Sequence, residues 1–223
     1  MAKSIVKAPV ITVDGPSGSG KGTISQRISK QLDWHFLDSG VLYRVLALGA
    51  QLHHIDEKNE KALATLASHL DVQFSSNSVI FEGADVTRKI RSEAVGNLAS
   101  IVSAYGSVRA GLIDRQRAFR ELPGLVTDGR DMGTVIFPDA EFKVFLDASL
   151  EARAKRRFLQ LQEKGINDSL ERVLAELALR DKRDIERVVA PLKPADDAWI
   201  LDTTMLSIEE TFSRVMDEIQ KRF

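Results

Sequence analysis

Cysteine is absent from the 223-residue chain, which excludes disulfides and thiolate metal sites and fits a reducing compartment. Histidine is scarce: the four stand at 35, 53, 54 and 69, with no pair at metal-ligand spacing. His53 and His54 read as neighbours on different sides of a helix. Neither sign of charge dominates, since 31 basic residues meet 32 acidic ones for a net charge of -1. The chain as a whole is therefore no polyanion binder. Its basic residues interleave with acids and no aromatic platform accompanies them, which argues against a nucleic-acid partner. No apolar run approaches a membrane span, and Met1–Pro9 lacks the apolar core of a signal peptide. The expectation is a cytoplasmic protein with no membrane partner, free of repeats and low-complexity tracts.

What is present reads as alternating strands and helices. Pro9–Val13 is a short apolar, β-branched run, and Ile24, Ile28 and Leu32 recur at helical spacing after it, so a helix spans Lys21–Leu32. Trp34–Leu37 reads as a strand, and Asp38 or Ser39 can cap a helix from Gly40 to about Leu52. A helix over Lys61–Leu70 precedes an alternating segment, Asp71–Ser75, a turn at Ser76-Asn77-Ser78, and a return run, Val79–Phe81. That hairpin interrupts the strand–helix rhythm and suggests an insertion at about 65–95. Helices follow over Ser92–Ser103 and Ser107–Arg120, then strands at Leu125–Asp128 and Phe142–Leu146. Ser149 caps a basic helix broken at Gly165, and Ser169 caps another that runs to about Val189. Trp199–Asp202 is the last strand, and Ser207-Ile208-Glu209-Glu210 is a capping box for an amphipathic final helix. Five buried strands among helices imply an α/β fold with a parallel sheet and ligands at its strand C-terminal ends.

Between the first strand and helix lies Gly15-Pro16-Ser17-Gly18-Ser19-Gly20-Lys21-Gly22-Thr23. Strand, glycine-rich loop and helix are the setting of a phosphate-binding P-loop. Backbone N–H groups point inward at phosphate oxygens, Lys21 adds a charge near the β and γ phosphates, and the helix adds its positive end. The common pattern places Ser or Thr directly after the lysine to hold magnesium. Here Gly22 comes first and Thr23 second, so Mg2+ is expected through water, with Asp14 or Asp128 in support. The alternative for each aspartate is a helix cap or turn residue.

Other stretches look like an acceptor side. Ser39, Tyr43 and Arg44 follow a strand end, and Arg44 offers a planar fork suited to phosphate. In Thr127-Asp128-Gly129-Arg130-Asp131-Met132-Gly133-Thr134, glycines let the backbone turn so that Arg130 and Asp131 project over the sheet edge. Arg153 and Arg157 share one helical face; Arg180, Asp184 and Arg187 share another. Arg156 and Lys182 read as solvated charges. Phosphoryl transfer supplies a use for clustered arginines, because charge spreads over the oxygens of the moving group. No general base is evident beside the P-loop. An alcohol acceptor would want one, whereas a phosphate acceptor is already anionic.

Together, DGPSGSGKGT, LDSGVLYR, DGRDMGTVIFPDA and RDKRDIERVVAPL resemble the bacterial cytidylate kinases, a family of nucleoside monophosphate kinases, over nearly the whole chain. The Gly-Lys-Gly-Thr ending of the loop is usual among monophosphate kinases. The resemblance implies a single P-loop kinase domain over 1–223 with a five-stranded parallel sheet. Within it would lie a monophosphate-binding part at 39–105, with a small antiparallel sheet in its insertion, and a short helical lid with its flanking helices at 150–190. It further implies transfer of the γ-phosphoryl group of ATP to CMP or dCMP, with Mg2+ as cofactor and a monomer as the working unit. Gly15 to Thr23 would bind ATP phosphates. Ser39 would line the acceptor site, and Tyr43, Arg44 and Arg130 would hold the CMP phosphate. Ser100, Arg109 and Asp131 would read cytosine, with Arg187 bracing Asp131. Arg180 and Asp184 would meet the sugar, and Arg153 and Arg157 would belong to the lid. Lys21, Arg130, Arg153, Arg157 and Arg180 are the expected catalytic cations.

Two rivals remain at the level of sequence. One is a kinase for another monophosphate or for a small alcohol such as shikimate. The other is a nucleotide-dependent switch, which would not need an arginine-rich acceptor pocket.

Overall fold

A computed structural model describes residues 7–75, 78–163 and 165–222. The expected turn residues Ser76 and Asn77 lie outside the described residues. The chain divides into two compact units: Met1–Leu37, Arg117–Glu186 and Ala190–Phe223 form the first, and Asp38–Gln116 with Arg187–Val189 the second.

The first unit is built on a five-stranded parallel sheet. Its strands are β1 (Val10–Asp14), β2 (His35–Asp38), β6 (Leu125–Gly129), β7 (Phe142–Asp147) and β8 (Trp199–Asp202), in the spatial order β2-β6-β1-β7-β8. Strand β1 is central. Val10 lies opposite Leu125 and Asp14 opposite Gly129, so β1 and β6 end at the same edge. Helices α1 (Lys21–Leu32) and α8 (Ile208–Gln220) cover one face. Alternate strand residues Ile11 and Val13 meet Ile24 and Ile28 of α1 and Val215 and Ile219 of α8, all buried. Period two in the strand thus meets spacing of four in the helices. A bidentate Arg27–Glu209 pair, both bonds 2.7 Å, ties α1 to α8. The capping box is present, with Ser207 and Glu210 bonded reciprocally. Helices α6 (Leu150–Glu163) and α7 (Leu170–Glu186) bury a separate small cluster of Ala154, Leu161, Val173 and Leu177.

The second unit holds α2 (Ser39–Leu52), α3 (Glu60–Ser68), α4 (Glu93–Val102) and most of α5 (Gly106–Arg117). It also contains a three-stranded antiparallel sheet of β3 (Val72–Phe74), β4 (Val79–Phe81) and β5 (Ala84–Asp85). The fully buried Phe81 ring lies where a Cβ on Gly49 of α2 would come within 2.8 Å, so the small sheet docks through one aromatic side chain.

Several elements differ from the sequence reading. The hairpin gains a third strand, because Glu82 and Gly83 take φ of 49° and 77° and reverse the chain in two residues. His53 closes the C-terminus of α2 and His54, at φ 54°, lies beyond it, so the two do not share a helix. Helix α7 stops at Glu186, short of the expected Val189. Residues 132–136 form a short π-helical turn.

Candidate active site

The P-loop connects β1 to α1 at the C-terminal edge of the sheet. Gly15 has φ 151°, and a Cβ there would stand 2.1 Å from the Leu146 carbonyl oxygen, so only glycine lets the loop leave the strand. Gly20 caps α1 in the left-handed region at φ 92°. Lys21, buried at the head of α1, donates to the Pro16 carbonyl at 3.1 Å and so curls over the loop. Ser19 is buried, and its Oγ makes no hydrogen bond among the described residues.

Asp14 and Asp128 flank this loop and are both buried. Asp14 Oδ1 accepts from the Met132 N–H at 2.9 Å, and Oδ2 accepts from the Gly133 N–H at 2.8 Å. It holds the turn after β6 from a distant strand, rather than capping a turn of its own. Burial pushes its carboxyl up to about 6, although the two N–H bonds pull the other way. Asp128 Oδ2 stands beside the start of α1, 3.8 Å from where a Gly22 Cβ would be. Thr23 is exposed in the first turn of the helix. One carboxylate and a hydroxyl beside a phosphate cradle fit Mg2+, which keeps waters and takes most other ligands from phosphate. Among the described residues no group of three His, Cys, Asp or Glu side chains forms a metal cage.

The arginines of the first unit are held in defined places. Arg130 donates through Nε to Asp184 at 2.8 Å and through Nη1 to the Gly129 carbonyl at 3.2 Å. Burial works against its charge, but Asp184, Asp128 and Asp181 more than offset that and raise its pKa. Asp131, beside it, is 3% exposed, a depth at which a carboxylate needs a partner. Arg153 is buried on α6. It donates to the Ser17 carbonyl in the P-loop at 3.0 Å, to the Ala148 carbonyl at 2.9 Å, and pairs with Asp181 of α7 at 2.6 Å. Arg157 and Arg180 lie half-buried on α6 and α7.

Two of these participants escaped the sequence reading. Asp181 looked like one charge among many in a helix, and nothing local distinguishes it. Arg156 does not behave as a solvated charge. Its Nη1 donates to Thr203 Oγ1 at 3.2 Å, and its Nη2 donates to the carbonyls of Thr203 and Leu206, the latter at 3.3 Å. A guanidinium only donates, so Thr203 must turn its own proton to the carbonyls of Asp147 at 3.0 Å and Ser19 at 3.3 Å. The segment after β8 is thereby tied to the P-loop.

The second unit gathers Ser39, Tyr43, Arg44, Ser100 and Arg109. Asp38 caps α2 by accepting from the Val41 N–H at 3.3 Å, which fixes where Tyr43 and Arg44 emerge one turn later. Arg44 Nη1 donates to the carbonyls of Ile90 at 2.8 Å and Ser92 at 3.4 Å, at the start of α4. Arg109 is buried, stands 5.5 Å from the centre of the Tyr43 ring, and donates to the Ser103 carbonyl at 3.0 Å. Ser103 in turn donates to the Ser100 carbonyl at 3.0 Å. The Ser100 hydroxyl is buried and makes no hydrogen bond among the described residues. A buried hydroxyl in that state is a reason to look for a ligand. Arg187, also buried, belongs to this unit.

The chain matches the family model for cytidylate kinase over residues 11–221. Cytidylate kinases from Shigella sonnei strain Ss046 and from Escherichia coli O1:K1 are 58% identical to it over 219 residues, covering 96% of this chain and of each relative. Among solved structures, an uncharacterized protein from Eubacterium ventriosum superposes with a TM-score of 0.53 at 13% identity, covering 96% of this chain and 99% of that one, a likeness of fold alone.

Proposed function

The chain belongs to the cytidylate kinase family, and we propose that it carries out one phosphoryl transfer in which the P-loop holds ATP and the acceptor is a cytidine monophosphate. It moves the γ-phosphoryl group of ATP to CMP or dCMP, giving ADP and CDP or dCDP. The observation that carries this is the 58% identity to cytidylate kinases over 96% of the chain. A kinase for shikimate or another acceptor, and a nucleotide switch, do not account for it.

Residues Gly15 to Thr23 cradle the ATP phosphates with backbone N–H groups, and Lys21 follows the charge on the group in transit. Asp128 and Thr23 would hold Mg2+ through water, and the ion would supply positive charge against the triphosphate. Asp14 keeps Met132 and Gly133 in place and so sets the turn that carries Arg130 and Asp131. Arg153 and Arg157 serve as lid cations, Arg130 and Arg180 stabilise the transferring group, and Asp184 orients Arg130 and meets the sugar. The acceptor phosphate is taken by Arg44, Tyr43 and Arg130 with Ser39. No proton acceptor is required, because its oxygens are already anionic. Ser100 and Arg109 donate to the cytosine acceptors, Asp131 accepts from its amino group, and Arg187 supports that side. The working form is a cytoplasmic monomer.

Uracil carries a carbonyl where cytosine carries the amino group, so the Asp131 charge should repel UMP. Asp131→Asn keeps the shape, removes the charge and adds a donor. A hydrogen bond to a charged group is worth about 1.5–3 kcal/mol, so the CMP-to-UMP ratio of kcat/KM should fall roughly tenfold or more. An unchanged ratio, even with lower activity, would make Asp131 a scaffold residue.

A further inference from the structure

Helix α4 carries a glycine, Gly96, in its interior and buried, where a helix gains from almost any other residue. Its φ is ordinary, so the backbone does not require it. The neighbour does. A Cβ built on Gly96 would lie 2.9 Å from Nη2, 3.1 Å from Nη1 and 3.2 Å from Cζ of Arg44. The two nitrogens are nearer than Cζ, so the Nη edge of the guanidinium occupies the space that a side chain at this position would need. The hydrogen bonds from Nη1 to the carbonyls of Ile90 and Ser92 hold it there. Both residues lie in the second unit, so the fit is internal to it.

We infer that Gly96 is a positioning residue of the acceptor site: its missing side chain is the seat that sets the position and depth of the Arg44 fork. This rests on the reading of Arg44 as a ligand of the acceptor phosphate. The atom in the way of a new Cβ is the far end of a flexible side chain, not backbone. The fold therefore absorbs Gly96→Ala by swinging the guanidinium aside. A planar fork that binds phosphate through paired N–H groups loses its fit when rotated or lifted. The helix meanwhile gains from Ala.

The test measures KM for CMP, KM for ATP and the thermal midpoint for wild type, Gly96→Ala, Arg44→Ala and the double variant. Gly96→Ala should raise KM for CMP about tenfold or more, the loss expected for one charge-assisted contact. KM for ATP and the midpoint should stay near wild type, and Gly96→Ala should add nothing once Arg44 is already Ala. Gly96→Ser, which also adds a Cβ, should repeat the loss. If Arg44→Ala raises KM for CMP and Gly96→Ala does not, the seat is refuted while the reading of Arg44 stands. If Arg44→Ala itself leaves KM for CMP unchanged, the reading of Arg44 fails and takes the inference with it. A Gly96→Ala effect that persists undiminished in the Arg44→Ala background, or a midpoint several degrees lower, would also overturn it, since the Cβ would then act through backbone.

Discussion

Asp14 is pulled in two directions: burial raises its carboxyl to about 6, and two backbone N–H donors favour the charged form. The folded state therefore binds the proton more tightly than the unfolded chain, whose carboxyl keeps its ordinary value of 3.8. By linkage, this residue contributes most stability below about pH 4 and loses it as pH rises through about 6, by about 3 kcal/mol in all. Asp14→Asn has no such titration and presents an amide N–H to one of the backbone donors. It should be less stable than wild type, with the gap in urea-unfolding free energy narrower at pH 7 than at pH 4.5. A gap that is flat or widens with pH would contradict the assignment. At this scale the sequence was informative where chemistry is local. The P-loop, Arg130 and Asp131 stand out by spacing and by the glycines around them, whereas Arg44 does so only beside the other motifs. Asp14 was legible as a strand-end carboxylate, but its partners are 118 and 119 residues away, and only the sheet brings them near.

Helices α6 and α7 meet through a small apolar cluster and one buried pair, Arg153–Asp181 at 2.6 Å, with side-chain exposures of 6% and 13%. Removing one member of a buried pair strands the other charge, at a cost of about 3–5 kcal/mol. Asp181→Ala should lower the thermal midpoint, and it should raise KM for ATP more than KM for CMP, because Arg153 also holds the Ser17 carbonyl of the P-loop. A variant with wild-type stability and KM for ATP would remove the pair from the donor site. Helices and strands with strong periodicity were readable, as were the caps at Ser149, Ser169 and Ser207 and, as one of two candidates, Asp38. The third strand, Ala84–Asp85, was not, since two residues carry no period. Neither was the π-helical turn, which follows from Asp14 gripping Met132 and Gly133 rather than from its own sequence. Arg156 misled for a similar reason: its acceptors are backbone carbonyls 47 and 50 residues away.

For the molecule as a whole, the parallel α/β class was readable from the alternation of elements, but the placement of β1 between β6 and β7 is a property of the crossovers. Phosphoryl transfer to a nucleotide must exclude water, or ATP is hydrolysed. Hydrogen exchange over 65–105 and 150–190 should accordingly slow when CMP and an unreactive ATP analogue are both present. No added protection in either stretch would take both out of that role. The most direct measurement is ADP release from ATP and Mg2+ with CMP, dCMP, UMP, AMP and GMP offered separately. CMP and dCMP should support rapid release, UMP much less, and AMP and GMP little beyond the acceptor-free rate. Equal release with a purine monophosphate or with UMP, or none with CMP, would contradict a cytosine-reading kinase.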